Sequence, residues 1–511
     1  MRKKKKVQIT GSDLQIEDVV AVARYNARIF PGDKVRINIQ RNWNVIKEML
    51  DEGKIIYGLN TGIGGFGNIL LPPEKTAELS VRILRAHASG YGEKVSEEIS
   101  RATFLARINV LAKGYSGVRS ILFETLVKMI NAGINPVCYE KGSLGCSGDL
   151  APLAQMMLTV IGEGEAYYKG KILPAREALK KAGVKPLKLA YREGLALING
   201  SQMMTGIACL NIYDSLQLIK TSEIAASMTI QVLNCVESAY DARYHKVRPF
   251  KGQNTAAENI RTLIAGSDLM KEEKINTQNA YSLRAVPQVS GAVRDALDYV
   301  REIVEIELNS VADNPIFFTD DKTYLTGANF HGANVGYTQD LLGIVITDLG
   351  SISERRVNNL MDPACSGNLP AFLVKSAGLD SGLMIAQYTQ AALVSENKVL
   401  ASPASVDSIP TSANQEDHVS MGTIAARKAR EIIRNTEAVV AIEILAACQA
   451  YEFRKPTKPS KSFQAVYDLV RSVSPAITED RAFYKDIEVV VELVRSGKVL
   501  EAVINCGEKL K

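Results

Sequence analysis

Three long stretches of this chain lack both glycine and proline and repeat apolar residues at helical intervals. They cover residues 207–248, 292–314 and 423–455, and Ile207 and Leu210 open the apolar series in the first of them. Apolar residues spaced three or four positions apart form one face of an α-helix. Because helices longer than about 25 residues are typical of bundles, the pattern predicts a central bundle of long helices.

Patterns typical of β-strands are few and short. Residues 54–57 and 316–318 are the main candidates, and both segments are rich in β-branched or aromatic residues. We therefore predict an all-α (mainly α) fold in two domains. A smaller, mixed N-terminal lobe takes residues 1–112, and a central helical bundle domain takes residues 113–511.

Composition and charge narrow the classes of function. The 511 residues are 46% hydrophobic and 23% charged, which is ordinary for a globular protein and enough for a large core. A net charge of +5 is small for this length, so we expect no nucleic acid as a partner. The basic start, Arg2–Lys6, is followed by polar residues, which is not the pattern of a secretory signal. We also expect no membrane partner, because the apolar runs are too short to span a bilayer.

Cysteine and histidine usage argues against disulfides and metals. The seven cysteines are scattered, odd in number and without a Cys-x-x-Cys pair, which is typical of reduced thiols in a cytoplasmic protein. Among the four histidines, only His331 and His418, with Glu416, could be combined into a metal site. They lack the paired spacing of ligands on one helix, so we predict no metal.

The most distinctive segment runs from Gly142 to Pro152, and Cys146-Ser147-Gly148 lies at its centre. Attack of the Gly148 amide nitrogen on the Cys146 carbonyl, with loss of two waters, would close an imidazolone ring. Ser147 would become its exocyclic methylene, an electrophile that no ordinary side chain provides. Gly148 tolerates the bent backbone this needs. Asp149 is a favourable N-cap for a helix whose positive end would face the ring oxygen.

The tripeptide alone is not specific, since Cys365-Ser366-Gly367 repeats it. Small residues before Asp-x-x-Pro are also typical of a simple turn and helix cap. The context of the tripeptide separates the two readings. An ordered series of further blocks accompanies it along the chain: Tyr57–Gly62, Leu197–Gly200, Gln278–Arg284, Ser310–Pro315, Gly327–His331, Ser353–Arg356 and Ser405–Met421.

Together these blocks resemble the ammonia-lyase family that carries a 4-methylidene-imidazol-5-one (MIO) group. The family contains the histidine, phenylalanine and tyrosine ammonia-lyases and related aminomutases. The resemblance covers roughly residues 18–455 and implies an MIO group formed from Cys146-Ser147-Gly148, with no external cofactor. It also implies a helical homotetramer whose active sites each use several subunits. The family usually has Ala where this chain has Cys146, but that side chain stays outside the cyclisation, so the ring should still form.

The resemblance assigns roles to individual residues. Tyr57 is the base that removes the β-proton, carried into the site by a glycine-rich loop that resembles a lid. That loop also satisfies the dinucleotide pattern G-x-G-x-x-G, but no βαβ unit frames it. The substrate and ring contacts are Arg284 as a clamp on the α-carboxylate, Gln278 and Tyr281 as hydrogen-bonding groups, Asn199 as a partner of the ring carbonyl or carboxylate, and Phe330 as packing against the ring.

His87 and Glu416 bear on the substrate. Histidine-directed members of the family place Ser-His where this chain has Ala86-His87, and they share the Asn-Gln-Glu-Asp-His form seen at residues 414–418. A buried carboxylate facing a phenyl ring would be costly, whereas an imidazole N–H gives it a charge-assisted hydrogen bond. A helix-capping role for this glutamate is the structural alternative. The segment 331–334 departs from the histidine-directed form His-Ala-Glu-Pro.

The sequence therefore predicts a carbon–nitrogen lyase that converts L-histidine to trans-urocanate and ammonia. Three alternatives stay open at this point. The first is a phenylalanine or tyrosine ammonia-lyase, or a 2,3-aminomutase that re-adds ammonia at Cβ. The second is a lyase that acts on a modified histidine such as a betaine, and the third is a helical scaffold without activity.

Overall fold

The computed structural model describes residues 5–274 and 276–511, and most of this part of the chain is helical. This confirms the predicted mainly α fold. The α-helices of the described residues are α1 (Ile16–Tyr25), α2 (Val35–Asp51), α3 (Thr76–His87), α4 (Glu97–Ala112), α5 (Ser120–Asn131), α6 (Leu150–Met157), α7 (Ala175–Lys181), α8 (Glu193–Ile198), α9 (Gln202–Val232), α10 (Ala242–Lys246), α11 (Lys251–Ile264), α12 (Tyr281–Arg284), α13 (Val286–Leu308), α14 (Ala333–Met361), α15 (Met384–Leu400), α16 (Gly422–Glu452), α17 (Lys461–Arg471), α18 (Tyr484–Arg495) and α19 (Lys498–Asn505).

The strands in the described part are short and form small separate sheets. They are β1 (Lys6–Ile9), β2 (Arg28–Pro31), β3 (Tyr91–Lys94), β4 (Asn135–Pro136), β5 (Tyr139–Lys141), β6 (Glu165–Tyr168), β7 (Lys171–Pro174), β8 (Ile316–Phe318) and β9 (Thr323–Leu325). Strand β1 pairs with β2 in parallel; the antiparallel pairs are β3–β5, β4–β6, β6–β7 and β8–β9.

One of the two strand predictions is confirmed and the other is wrong. Residues 316–318 form β8, whereas residues 54–57 have no strand partner. The Asn60 side chain takes the place of a partner there. It accepts a hydrogen bond from the Ile56 amide at 2.7 Å and donates one to the Lys54 carbonyl at 2.9 Å. A side chain that satisfies the backbone locally competes with strand pairing.

Helices α9, α13 and α16 overlap the long stretches without glycine or proline, but the stretches extend past the ends of their helices, and α13 begins at Val286, before its stretch. Helix α9 ends at Val232, and Asn234 has a left-handed φ of 47°, which asparagine tolerates.

Helix α14 gave no such pattern, because it contains Gly343 and Gly350. A Cβ on Gly343 would lie 3.1 Å from Ile432, and one on Gly350 would lie 3.3 Å from Thr436, both on α16. These glycines therefore allow close packing of two helices instead of ending one.

The described residues form two compact units. Unit 1 contains residues up to Tyr213, Arg301–Asp340 and Pro403–Arg427, and unit 2 contains Asp214–Val300, Leu341–Ser402 and Lys428–Lys511. The predicted lobe of residues 1–112 falls inside unit 1, and its boundary at residue 112 stays a prediction.

Unit 1 is built around α4. Every position from Ser100 to Ala112 is buried, which is the pattern of a helix surrounded on all sides. Helices α1 and α5 pack against α4. A second group, α3, α6 and α8, packs together pairwise. This group positions candidate site residues, since His87 ends α3 and Asn199 follows α8.

Unit 2 has a charged group at the centre of its helices. Glu443 of α16 is fully buried, and it accepts hydrogen bonds from Arg356 Nε at 2.6 Å and Nη2 at 2.7 Å. Ser353 and Thr229 also donate to this carboxylate, at 2.6 Å and 2.9 Å. A buried ion pair stabilises only when its remaining hydrogen bonds are made, so these contacts link α9, α14 and α16 in one arrangement. No helix in the described residues combines the length and apolar character that crossing a bilayer requires.

Candidate active site

The backbone around Ser147 and Gly148 is clamped to Gly200. The Asp149 amide donates to the Gly200 carbonyl at 2.7 Å, and the Gly200 amide donates to the Ser147 carbonyl at 3.3 Å. Gly148 has a left-handed φ of 72°, and a Cβ at this position would overlap the Gly200 carbonyl. Both the φ value and the close approach therefore require glycine.

Asp149 holds this loop in place, although not as predicted. It precedes the first residue of α6, as an N-cap does, but its side chain makes no capping bond to that helix. Instead its carboxylate accepts from the Met204 amide in the first turn of α9 at 2.9 Å, from Ser143 Oγ at 2.8 Å and from Thr423 Oγ1. The residue is fully buried, and burial raises the pKa of its carboxyl group. Asp149 thus caps α9 and connects the loop to it.

A carboxylate lies directly against the serine of the tripeptide. Ser147 Oγ donates a hydrogen bond to Glu416 Oε1 at 3.0 Å. Glu416 is half-buried in a tight turn, where the Thr411 amide donates to the Glu416 carbonyl at 2.8 Å. Helix α16 begins only at Gly422, so Glu416 is not the helix cap that the structural alternative requires. Burial first, and then the Glu416 carboxylate, raises the pKa of the Cys146 thiol to about 12.

Tyr57 is covered by the glycine-rich loop. Its hydroxyl accepts a hydrogen bond from the Gly64 amide at 2.8 Å, and a Cβ on Gly67 would lie 3.0 Å from its ring. Burial has the largest effect on the pKa of Tyr57 and raises it. The hydrogen bond from Gly64 lowers this pKa, the Glu416 carboxylate raises it, and Arg192, with the smallest effect, lowers it. The net pKa lies above that of a free phenol, which is the opposite of what a base at neutral pH needs.

His87 and Asn199 present hydrogen-bond acceptors. His87 Nδ1 lies 2.8 Å from the Ile83 carbonyl, which can only accept, so Nδ1 carries a proton, and in the neutral ring Nε2 is the acceptor. Asn199 donates from Nδ2 to the Asn314 carbonyl at 2.8 Å. Its Oδ1 is buried and has no hydrogen-bond partner among the described residues, which is costly unless a ligand or ring supplies a donor.

Phe330 is half-buried and directly precedes His331, whose imidazole ring stacks on that of His418. The rings of His331 and His418 are parallel within 3°, and their centroids lie 5.9 Å apart. This contact brings the segment of Phe330 beside the segment of Glu416. The described residues contain no group of three or more potential ligands that could hold a metal ion, and His331, His418 and Glu416 do not form one.

Gln278, Tyr281 and Arg284 line a cavity of unit 2, of about 330 Å³. The Arg284 guanidinium lies 4.5 Å from the centroid of the Tyr281 ring, which is a cation–π contact. Arg284 Nε is buried without a hydrogen-bond partner among the described residues. An anion bound there would satisfy it, and a carboxylate matches the planar guanidinium best.

The predicted site residues therefore form two groups. Tyr57, His87, Cys146, Ser147, Gly148, Asn199, Phe330 and Glu416 lie in unit 1, whereas Gln278, Tyr281 and Arg284 lie in unit 2. Within unit 1 the structure places Glu416 against Ser147, and the backbone of Gly200, which follows Asn199, against Gly148.

Sequence reasoning missed a buried charge cluster behind this site. Asp313 bridges two arginines, with Arg192 Nη2 at 2.7 Å from Oδ1 and Arg107 Nη2 at 3.2 Å from Oδ2. Arg107 also donates to the backbone carbonyls of Ala196 and Asn199 at the end of α8. All three charged side chains are fully buried. The sequence signal for this cluster was Arg192, which lies just before the apolar run that ends at Ile198. Because isolated arginines are usually exposed, this position did not stand out.

The family profile described as aromatic amino acid lyase matches residues 14–472 of this chain. The chain belongs to that family. A histidine ammonia-lyase of Caldanaerobacter subterraneus subsp. tengcongensis is 47% identical over 508 residues, which cover 99% of this chain and 100% of that relative.

Two solved structures extend the comparison. Histidine ammonia-lyase from Trypanosoma cruzi has a TM-score of 0.92 at 38% identity, with 99% of this chain and 96% of that chain covered. Tyrosine aminomutase from Streptomyces globisporus has a TM-score of 0.95 at 36% identity and covers 99% of this chain and 100% of its own. Because a lyase and an aminomutase match equally well, the fold alone does not separate these activities.

Proposed function

We propose that this protein is a carbon–nitrogen lyase that deaminates L-histidine to trans-urocanate and ammonia. The relatives named histidine ammonia-lyase support this activity, at 44–47% identity over nearly the whole chain. Within the site, one observation carries the assignment. The Glu416 carboxylate lies 3.0 Å from Ser147 Oγ, the atom whose loss would create the electrophile. A carboxylate at this point needs a donor on the substrate ring, and imidazole supplies one.

The residues of the loop fit an MIO group. Gly148 already has the left-handed φ that a bent backbone needs, and Gly200 fixes the carbonyl of Ser147 and the amide of Asp149. Cyclisation forms a bond from the Gly148 nitrogen to the Cys146 carbonyl carbon and releases that oxygen as water. A second water then leaves with the Ser147 hydroxyl. The finished group would supply an electrophile for the departing amine, and no external cofactor is needed.

Recognition of the imidazole ring is assigned to Glu416 and His87. Glu416 would accept a hydrogen bond from one ring N–H, and a bond to a charged acceptor is about twice as strong as a neutral one. His87 offers Nε2 as a second acceptor, because Nδ1 is committed to the Ile83 carbonyl. An imidazole ring that is protonated on both nitrogens donates to both groups, whereas a phenol has one donor and a phenyl ring has none, so histidine is favoured over phenylalanine and tyrosine.

Proton removal from Cβ is assigned to Tyr57, and its position under the glycine-rich loop would keep water from the reacting atoms. Asn199 would use its unsatisfied Oδ1 to accept a hydrogen bond in the site, and Phe330 would pack against the ring system.

The substrate carboxylate is assigned to Arg284, with Gln278 and Tyr281 as neighbouring hydrogen-bonding groups. Their cavity in unit 2 contains the unsatisfied Arg284 Nε, which suits a carboxylate. We propose a homotetramer whose active sites each use residues of several subunits. We also propose a cytoplasmic location, because the seven scattered cysteines form no disulfide framework among the described residues.

Product formation from a panel of amino acids tests the function. The purified protein is incubated separately with histidine, phenylalanine, tyrosine and trimethylated histidine, and conjugated acrylates are followed by ultraviolet absorbance and mass spectrometry. We expect urocanate from histidine at a rate far above that of the other products. A β-amino acid product would instead indicate an aminomutase, and preferred turnover of trimethylated histidine would indicate a betaine lyase.

A further inference from the structure

The Arg107–Asp313–Arg192 cluster carries an excess positive charge inside unit 1. Two guanidinium groups share one carboxylate, which leaves one net positive charge, and all three side chains are inaccessible to solvent. Glu193 lies next to Arg192 but does not neutralise this charge. It pairs with Arg119, at 2.8 Å to Nε and 2.6 Å to Nη2. An excess buried charge is expensive, and buried charges of this kind are often found at functional sites.

The backbone of Arg192 is held in a conformation that arginine rarely adopts. Its φ is +66°, in the left-handed region. The guanidinium donates to the carbonyls of Ser116, Asn314 and Pro315 at 3.0–3.1 Å, in addition to Asp313. Non-glycine residues in this region cost free energy and persist where the surroundings impose them, often at functional sites. These bonds therefore fix the charge in one place with little freedom to move.

That place lies behind the segment that carries Tyr57. Arg192 directly precedes α8, and Leu195 of this helix packs so closely on Gly58 that a Cβ there would overlap it. The Arg192 guanidinium also lies 5.9 Å from the centroid of the Phe317 ring. Phe317 belongs to the same apolar cluster as Ile56 and Leu59, which flank Tyr57 in sequence. The Arg192 guanidinium is fully buried, so solvent screens its charge less than it would screen an exposed one.

We propose that Arg192 is a positioning residue for proton transfer, and that its buried guanidinium favours the phenolate form of Tyr57. The proposal rests on the assigned role of Tyr57 as the base. It explains why the cluster keeps an excess of positive charge so close to an apolar segment.

The groups that face Tyr57 determine the pKa of its hydroxyl group. Burial and the Glu416 carboxylate raise the pKa of Tyr57, whereas the Gly64 N–H and the Arg192 guanidinium lower it. Among the described residues that act on this phenol, Arg192 is the one cation. Removal of its charge should therefore make Tyr57 a poorer base, since the remaining charged neighbour is a carboxylate.

The pH profile of kcat/KM tests this directly. When a base must be deprotonated, kcat/KM rises with pH, and its acid limb reports the apparent pKa of the base. Arg192→Gln should move this limb to higher pH, because the variant lacks the positive charge that lowers the pKa of Tyr57. Arg192→Lys keeps the charge and should leave the limb near its wild-type position. Asp313→Asn removes a negative charge and should move the limb to lower pH.

Matched variants separate this role from a purely structural one. Arg101 is another buried arginine of unit 1, whose guanidinium donates to the Val22 and Ile130 carbonyls away from Tyr57. Arg101→Gln should lower the urea midpoint without moving the acid limb. In each variant, loss of two waters in the intact mass confirms that the ring has formed, which is a readout independent of turnover.

The background variant Tyr57→Phe completes the test. If this variant keeps wild-type activity, the assignment of Tyr57 as base fails, and the proposal for Arg192 fails with it. If Tyr57→Phe is inactive but Arg192→Gln has the wild-type acid limb, only the proposal for Arg192 is overturned. If Arg192→Gln does not fold, Arg192→Lys and Asp313→Asn still test the proposal. The proposal is supported if the acid limb of Asp313→Asn moves to lower pH while that of Arg192→Lys stays in place. It is overturned if the acid limb of Asp313→Asn does not move.

Discussion

The chain contains the tripeptide Cys-Ser-Gly twice, and the two copies have different surroundings. At residues 146–148 the backbone is clamped to Gly200 and Ser147 Oγ donates to the Glu416 carboxylate at 3.0 Å. At residues 365–367, after α14, Ser366 Oγ donates to the Leu369 carbonyl at 3.3 Å instead.

The second copy forms an ordinary turn. The amides of Cys365 and Ser366 both donate to the Asp362 carbonyl at 2.9 Å, and Arg454 donates to the carbonyls of Ser366 and Gly367 at 3.2 Å and 2.9 Å. Ser366 is fully buried, so a substrate could not reach it. The comparison teaches that the tripeptide permits cyclisation, whereas its neighbours decide whether the product could serve a reaction. We expect the ring at residues 146–148 only.

Replacement of the two serines gives the largest expected contrast. Ser147→Ala should reduce turnover of histidine by several orders of magnitude, because the electrophile is lost, and the intact mass should no longer show the loss of two waters. Ser366→Ala should retain both the water loss and most of the activity. Near-wild-type turnover in Ser147→Ala would refute the covalent role, and loss of the mass change in Ser366→Ala would mean that the wrong copy was assigned.

Replacement of the two glycines should separate the effect of close packing from the effect of a left-handed φ. Both residues have left-handed φ values, 72° at Gly148 and 62° at Gly367. Gly367→Ala should cost about 1–2 kcal/mol of unfolding free energy, as expected for alanine in this region, and should leave activity intact. Gly148→Ala should cost more and should prevent ring formation, because its Cβ would overlap the Gly200 carbonyl. Urea unfolding with intact mass measures both effects.

The Glu416 carboxylate contacts the first copy of the tripeptide, and its replacement should lower kcat/KM for histidine. Glu416→Gln removes a charge-assisted hydrogen bond, which contributes about 1.5–3 kcal/mol, so kcat/KM for histidine should fall by about 10- to 100-fold. Its exposed neighbour offers a control, and Asp417→Asn should change kcat/KM little. If Glu416→Gln leaves histidine turnover unchanged, the assignment of Glu416 to the imidazole is wrong.

The two cysteines should give the smallest effects. Cys146→Ala restores the residue usual in the family and should leave the ring intact, with kcat/KM changed less than in Glu416→Gln. A thiol whose pKa is raised to about 12 stays protonated at neutral pH, so it should not compete with the substrate for the electrophile. Cys365 lies in an exposed turn, so Cys365→Ala should change neither the activity nor the stability. A large loss in Cys146→Ala alone would show that the thiol takes part in the reaction.

The sequence was informative wherever local rules determine the outcome. Runs without glycine or proline located α9, α13 and α16, and the ordered series of blocks predicted the family that the profile match confirms. The same rules failed at α14, where Gly343 and Gly350 serve helix packing. They also failed at residues 54–57, where the Asn60 side chain replaces a strand partner. In both cases a contact outside the local pattern decided the structure.

What the sequence alone determined is the helical fold class, the family and the tripeptide that can become an electrophile, because these depend on residue types and their order. Only the tertiary structure decided which surroundings each tripeptide has, since Glu416 lies 269 positions from Ser147 in the chain. It also decided that Asp149 caps α9 instead of α6 and that Arg107, Asp313 and Arg192 form one buried cluster. Charges and hydrogen bonds act over a few ångströms in space, and a linear sequence does not give those distances.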